Sequence, residues 1–152
     1  MIRKARIKDV KAIHGLLMST DQHEGLVLPR SFSQLYSHLR DFVVAVDGDG
    51  KVIGCCALSL IWEDLAEIRS LVVSPEHRGN HLGRKLVEAC LSESVTLGIY
   101  KVYTLTEVPG FFARLGFAEE GMESLNQKIF LDCLNCPRFP DLCNEVAMTM
   151  NL

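Results

Sequence analysis

The sequence predicts an α/β or α+β domain built on a mixed sheet, and three observations carry that prediction. Short apolar, β-prone runs recur along the chain, separated by segments of helical period. Asp47-Gly48-Asp49-Gly50 lies between two such runs as a tight hairpin turn. The strongest helix, Gly79 to about Leu97, lies between a strand ending at Ser74-Pro75 and a strand from Lys101 to Thr106.

The elements follow in order. Ile2 to Ile7 forms a first strand. Asp9 caps a helix to about Ser19, with Val10, Ile13, Leu16 and Leu17 on one face. Ser31 to Leu39 forms a second, short helix with Leu35, Tyr36 and Leu39 directed inward. Phe42 to Val46 and Val52 to Ile61 are the arms of the hairpin, and Glu67 to Val73 is the next strand. Leu82, Leu86, Val87, Cys90 and Leu91 form the buried side of the long helix, which Gly98 stops. Pro109 to Leu115 is a short helix, Gly116-Phe117 turns into a further strand, and Glu145 to Met150 closes the sheet.

The 152 residues suit one domain, 1–152, with 48% hydrophobic and 23% charged residues. Net charge is −3 and the pI is near 5.9, with no long basic stretch, which argues against nucleic acid as a direct ligand. The N-terminus is charged from Arg3 onward and lacks the apolar core of a signal peptide. No apolar run is long enough to span a membrane, so the expected compartment is the cytoplasm. The six cysteines are expected as free thiols there.

Chemistry concentrates where the buried strand Leu71-Val72-Val73 gives way to Ser74-Pro75-Glu76-His77-Arg78-Gly79-Asn80-His81-Leu82-Gly83-Arg84-Lys85. A helix start offers free N–H groups and the positive end of its dipole to an anion. Glycines at Gly79 and Gly83 let backbone approach phosphate oxygens, and Arg78, Arg84 and Lys85 add positive charge. A helix start with incidental glycines is the alternative at this point.

The segment resembles the cofactor motif of the GNAT N-acetyltransferase superfamily: Arg or Gln, two residues, Gly, one residue, then Gly or Ala. It maps to Arg78, His81 and Gly83, with His81 standing where the family usually has glycine. The resemblance implies a mostly antiparallel GNAT-like sheet, acetyl-CoA as co-substrate, and cofactor binding by Leu71, Val73, Arg78, Gly79, Asn80, His81, Gly83, Arg84 and Lys85. It carries the general-base role to Glu67 in Ala66-Glu67-Ile68-Arg69-Ser70-Leu71-Val72-Val73. The chemistry needs such a group, because an amine is mostly protonated at neutral pH and cannot attack a thioester in that form. The resemblance also implies a bulge in this strand that turns the Leu71 N–H onto the thioester carbonyl, with Val73 pairing to the pantetheine arm. Phe112 occupies the position of the family's usual thiolate-protonating tyrosine and cannot donate a proton; Tyr103 is an alternative donor or a packing residue.

Gly25-Leu26-Val27-Leu28-Pro29-Arg30-Ser31, Ile53-Gly54-Cys55-Cys56-Ala57-Leu58 and Phe111-Phe112 with Gly116-Phe117 resemble one branch more closely. That branch is the acetyltransferase domain of N-acetylglutamate synthase, tied to arginine biosynthesis. A glutamate-like acceptor brings carboxylates that suit arginine forks, which points to Arg30, Arg69 and Arg138 as substrate-binding residues. Other amines (protein lysine, polyamine, xenobiotic) and a noncatalytic acyl-CoA-binding module remain alternatives. A homodimer is left open. Cys133, Cys136 and Cys143 are read as loop thiols with no metal expected, the alternatives being a structural zinc site or a redox pair.

Overall fold

The computed structural model describes residues 1–19, 31–121 and 146–152. Within them the chain runs β1 (Ile2–Lys4), α1 (Val10–Met18), α2 (Phe32–Ser37), β2 (Phe42–Val46), β3 (Val52–Trp62) and β4 (Leu65–Val73). It continues through α3 (Leu82–Thr96), β5 (Lys101–Thr106), α4 (Pro109–Arg114), β6 (Ala118–Glu120) and β7 (Val146–Asn151). The strands form one sheet in the order β1-β2-β3-β4-β5-β7-β6. Only β4 and β5 run parallel, because α3 separates them as a crossover; the other pairs are antiparallel.

The β2–β3 hairpin shows why the sequence folds locally as it does. Asp47 Oδ1 accepts hydrogen bonds from the backbone N–H groups of Asp49 and Lys51, both at 2.9 Å. Gly50 takes φ +80°, a conformation that costs glycine little. All of β2 and the first seven residues of β3 are buried on both faces, so they read as continuous apolar runs rather than alternating ones.

Helices cover both faces. On one side Leu86, Val87 and Cys90 of α3 pack on Val43, Ala45, Cys56, Leu58 and Ile68. On the other, Val10, Ile13 and Leu17 of α1 and Leu35 of α2 pack on Phe42, Val44, Cys55 and Ala57. Ile13, Leu35, Phe42 and Leu86 are fully buried, each contributing about 1.5–3 kcal/mol of transfer free energy. Gly54 of β3 lies close against α3: a Cβ there would sit 3.1 Å from Leu86 Cδ1 and 3.2 Å from the Val72 carbonyl oxygen.

Four expectations need correction. The first strand ends at Lys4, and Ile7–Asp9 is a 3-10 turn, because the Asp9 carboxylate accepts the Arg6 N–H at 2.7 Å and folds the chain back. For the same reason the Asp9 side chain does not cap α1. Tyr36 is exposed; only Leu35 and Leu39 of that segment are buried. The long helix starts at Leu82, not Gly79: Gly79 (φ +89°) and His81 (φ +60°) hold left-handed backbone that cannot belong to an α-helix.

Candidate active site

The site begins where the sheet comes apart. β5 pairs with β7 along its whole length, from Lys101↔Asn151 to Thr106↔Val146. It pairs with β4 only at Ala66↔Val102 and Glu67↔Tyr103. Beyond Glu67 the two parallel strands diverge, and one side-chain bond spans the opening: Thr104 Oγ1 donates to the Ile68 carbonyl at 3.0 Å. The β4 edge from Ile68 to Val73 is thereby released from its β5 ladder. A strand edge of this kind can take an extended, amide-bearing ligand as an added strand.

A bulge sits on this edge. Ala57 of β3 faces Arg69 and Cys55 faces Val72, so Ser70 and Leu71 together oppose Cys56. Ser70 has φ +55°, which is uncommon for a residue with a β-carbon. The carbonyls that the bulge turns aside meet thiols on β3: Cys55 Sγ donates to Ser70 O at 3.4 Å, and Cys56 Sγ approaches Arg69 O at 3.8 Å.

Glu67 lies at the last paired position before the divergence. It is 6% exposed, which excludes an ordinary solvated strand glutamate. Its Oε1 is 3.4 Å from Arg69 Nε, the i, i+2 neighbour on the same face of β4. Glu67 is registered against Tyr103, which is fully buried with Leu65 and Ala147. The Glu67 carboxylate is thus buried with its compensating cation in place, at the mouth of an opening sheet.

The second half of the site is the turn from β4 into α3. The Ser74 N–H donates to Ile53 O at 2.8 Å, and Ser74 Oγ lies 2.8 Å from His77 Nδ1. Pro75–His77 forms a 3-10 turn, and Arg78 Nε donates back to Val73 O at 3.2 Å. Gly79 and His81 then reverse the chain into α3, whose first intrahelical bond runs from Lys85 N–H to His81 O. The N–H groups of Leu82, Gly83 and Arg84 precede that bond, so the helix start presents donors and its positive dipole end to solvent. Arg78, Arg84 and Lys85 are exposed around it, and Arg84 Nε is 3.7 Å from Glu88 on the next turn. Gly83 has a packing reason as well: a Cβ there would lie 3.3 Å from Phe111 Cζ of α4 and 4.0 Å from Val73 Cγ2.

Glu67, Arg69, Leu71 and Val73 thus share one strand, and the Arg78–Lys85 turn continues directly from it. Phe112 is buried and packs edge-on between Phe111 and Phe117. Arg30, Arg138, Cys133, Cys136 and Cys143 lie outside the described residues. Sequence reasoning missed the two thiols on the bulge carbonyls and the Thr104 strut; adjacent apolar-strand cysteines carry no local signal for such a role.

A strand edge released from its neighbour beside a helix start with free N–H groups is an arrangement able to take an extended amide chain and an anion together. Residues 11–117 match the model of the acetyltransferase (GNAT) family, and the chain belongs to that family. It is an N-acetyltransferase that uses acetyl-CoA. It is 44% identical over 156 aligned residues to an uncharacterized N-acetyltransferase of Chlorobaculum tepidum, covering 99% of this chain and 96% of the relative. It is 38% identical over 122 residues to the amino-acid acetyltransferase of Mycobacterium tuberculosis, covering 78% of this chain and 68% of that protein. The crystal structure of N-acetylglutamate synthase from Neisseria gonorrhoeae, complexed with coenzyme A and N-acetyl-glutamate, superposes with a TM-score of 0.89 at 25% identity. It covers all of this chain but 35% of the larger one. The mixed, mostly antiparallel sheet flanked by helices is the expected GNAT fold.

Proposed function

We propose that this enzyme transfers the acetyl group of acetyl-CoA to the α-amine of a small amino acid, glutamate-like first, by direct attack on the thioester, and that it serves arginine biosynthesis in the cytoplasm. One observation carries the reading: the buried Glu67 carboxylate stands beside Arg69, 3.4 Å away, at the point where β4 and β5 part. Among the acceptor classes, an amino acid is the one that brings a carboxylate for a cation at this spot. Arg69 is 26% exposed, so its fork can face a ligand while its Nε stays near Glu67.

The steps follow from the placement. The diphosphate of the co-substrate is held by the N–H groups opening α3, with Arg78, Gly79, Asn80, His81, Gly83, Arg84 and Lys85 lining the turn. The released edge of β4 at Val73 pairs with the pantetheine amides. The Leu71 N–H donates to the thioester carbonyl oxygen as negative charge develops there. Glu67 accepts the proton of the ammonium, directly or through a water, and frees the amine for attack. The amine nitrogen bonds to the carbonyl carbon, the C–S bond breaks and coenzyme A leaves as a thiolate, and the second proton of the attacking nitrogen passes through water to that thiolate or to solvent; no acid is required at Phe112, since a thiolate is a weakly basic leaving group near neutral pH. Arg69 receives a carboxylate of the acceptor. Arg30 and Arg138 are assigned the other carboxylate contacts on the resemblance alone.

The test is an acetyl-CoA turnover screen of the purified protein against the free amino acids and common polyamines. Coenzyme A release with glutamate or a close analogue as preferred acceptor is expected. Turnover confined to polyamines or other non-amino-acid amines would refute the acceptor assignment.

A further inference from the structure

We propose that Cys55 is a positioning residue for acetyl transfer: its thiol holds the Ser70–Leu71 peptide plane so that the Leu71 N–H is directed onto the thioester carbonyl. The inference rests on the role given above to Leu71.

A bulge solves one problem and creates another. It gives β4 an extra residue opposite Cys56, which frees a peptide unit from the regular ladder. A freed peptide unit can also rock, and an oxyanion donor is useful only if its direction is set before the reaction. Ser70 is held at φ +55° without the freedom of glycine, so something must over-determine this backbone. The Cys55 thiol is placed to do so. It is fully buried on β3 and donates to Ser70 O at 3.4 Å.

The peptide bond is planar and trans, so the Ser70 C=O and the Leu71 N–H point in opposite directions along one plane. A carbonyl tethered toward Cys55 on β3 therefore sends the Leu71 N–H away from β3. That is the side where β4 has parted from β5. A carbonyl that accepts a hydrogen bond also polarises its own amide and makes the N–H a better donor. The neighbouring Cys56 thiol, on the opposite face of the sheet, lies 3.8 Å from Arg69 O, one peptide unit earlier, so the two thiols flank the bulge from its two faces. Hydrogen bonding to the Cys90 thiol, together with burial, pushes the Cys56 thiol well above its ordinary range, which keeps that thiol protonated. Thiols are weak donors, so the main effect here is on direction rather than on fold stability.

The experiment uses acetyl-CoA labelled with carbon-13 at the thioester carbonyl and reads its stretch on the protein by isotope-edited infrared spectroscopy, alongside kcat and coenzyme A affinity. Wild type is expected to lower the carbonyl frequency relative to free acetyl-CoA. Cys55→Val fills the site without a donor and should lose most of that shift. Its kcat should fall about tenfold, since deleting an oxyanion donor outright costs roughly 10²–10³. Coenzyme A affinity should not change. Cys55→Ser restores a donor and should recover both the shift and kcat relative to Cys55→Val. Equal carbonyl frequencies and equal kcat across wild type and both variants would overturn the proposal. So would losses that merely track the folded fraction of each variant. The spectrum needs no acceptor amine, which separates the two readings: a wild-type shift without amino-acid turnover refutes the acceptor assignment only. A wild type with no shift refutes the Leu71 assignment and this inference together.

Discussion

Glu67→Gln removes one proton-accepting oxygen from the centre of the site and leaves nearly everything else in place. The side chain is 6% exposed, and glutamine has the same length and nearly the same volume, so no cavity opens and the β4 register with Tyr103 is undisturbed. Glutamine still presents a carbonyl oxygen that can accept from Arg69, whose Nε is 3.4 Å from the native carboxylate. What is lost is the ability to take a proton from the ammonium. General-base catalysis contributes roughly 10²–10⁴-fold, equivalent to about 2.7–5.4 kcal/mol of barrier. The expectation is a kcat lowered by that factor at neutral pH with coenzyme A binding retained, because the diphosphate turn begins at Arg78, eleven residues further on. A second signature separates a lost base from a damaged fold. Residual activity of Glu67→Gln should climb with pH as more of the acceptor is already unprotonated, while the wild-type profile flattens. The assay is thiol release under saturating acetyl-CoA from neutral to alkaline pH, with isothermal titration of coenzyme A as control. A Glu67→Gln enzyme that keeps more than a tenth of wild-type kcat at neutral pH would falsify the base assignment.

Other predictions concern the frame around the site. Arg3 Nη1 and Nη2 donate to Asp9 at 2.7 and 3.0 Å, and the Arg6 N–H adds a third bond, so Asp9 titrates below its ordinary range, chiefly through the Arg3 bond. Its stabilisation is complete above the usual carboxylate pKa of about 4 and is lost as pH falls through the lowered folded value. Asp9→Asn should therefore cost about 2 kcal/mol in urea unfolding at pH 7, with the gap to wild type closing below about pH 4; a gap independent of pH refutes this. Gly54→Ala should destabilise by about 1–3 kcal/mol, because its Cβ would meet the Val72 carbonyl oxygen at 3.2 Å and backbone cannot step aside cheaply. An unchanged melting temperature would contradict it. His81→Gly relieves a left-handed residue at the N-cap of α3 and should raise stability by about 1 kcal/mol. Loss of stability on that change would show that the His81 side chain is held by contacts worth more than the strain.

Local chemistry made much of this protein legible. The Asp47–Gly50 turn and the apolar period of α3 with its stop at Gly98 depend on neighbours within a few residues, and each stands where the residues put it. The placing of Glu67 on β4 and of a basic turn before Leu86 was legible as well, since one strand and the turn that follows it are continuous in the chain, while the roles proposed for them rest on the family resemblance. The start of α3 was misjudged because backbone sign is invisible in composition: His81 adopts a left-handed conformation that a sequence rule assigns to glycine.

Tertiary structure decided the rest. The pairing of β5 with β7 along six residues, against two with β4, opens the sheet beside Glu67; strand pairing between distant segments depends on the balance of whole ladders, not on any local run. The burial of Glu67, its 3.4 Å approach to Arg69 and the reach of the Cys55 thiol to Ser70 O exist only once β3, β4 and β5 lie side by side. The chain's own order therefore specified which groups were available for the chemistry. Long-range packing specified their orientation, because a hydrogen bond fixes direction only after both of its partners have been brought together.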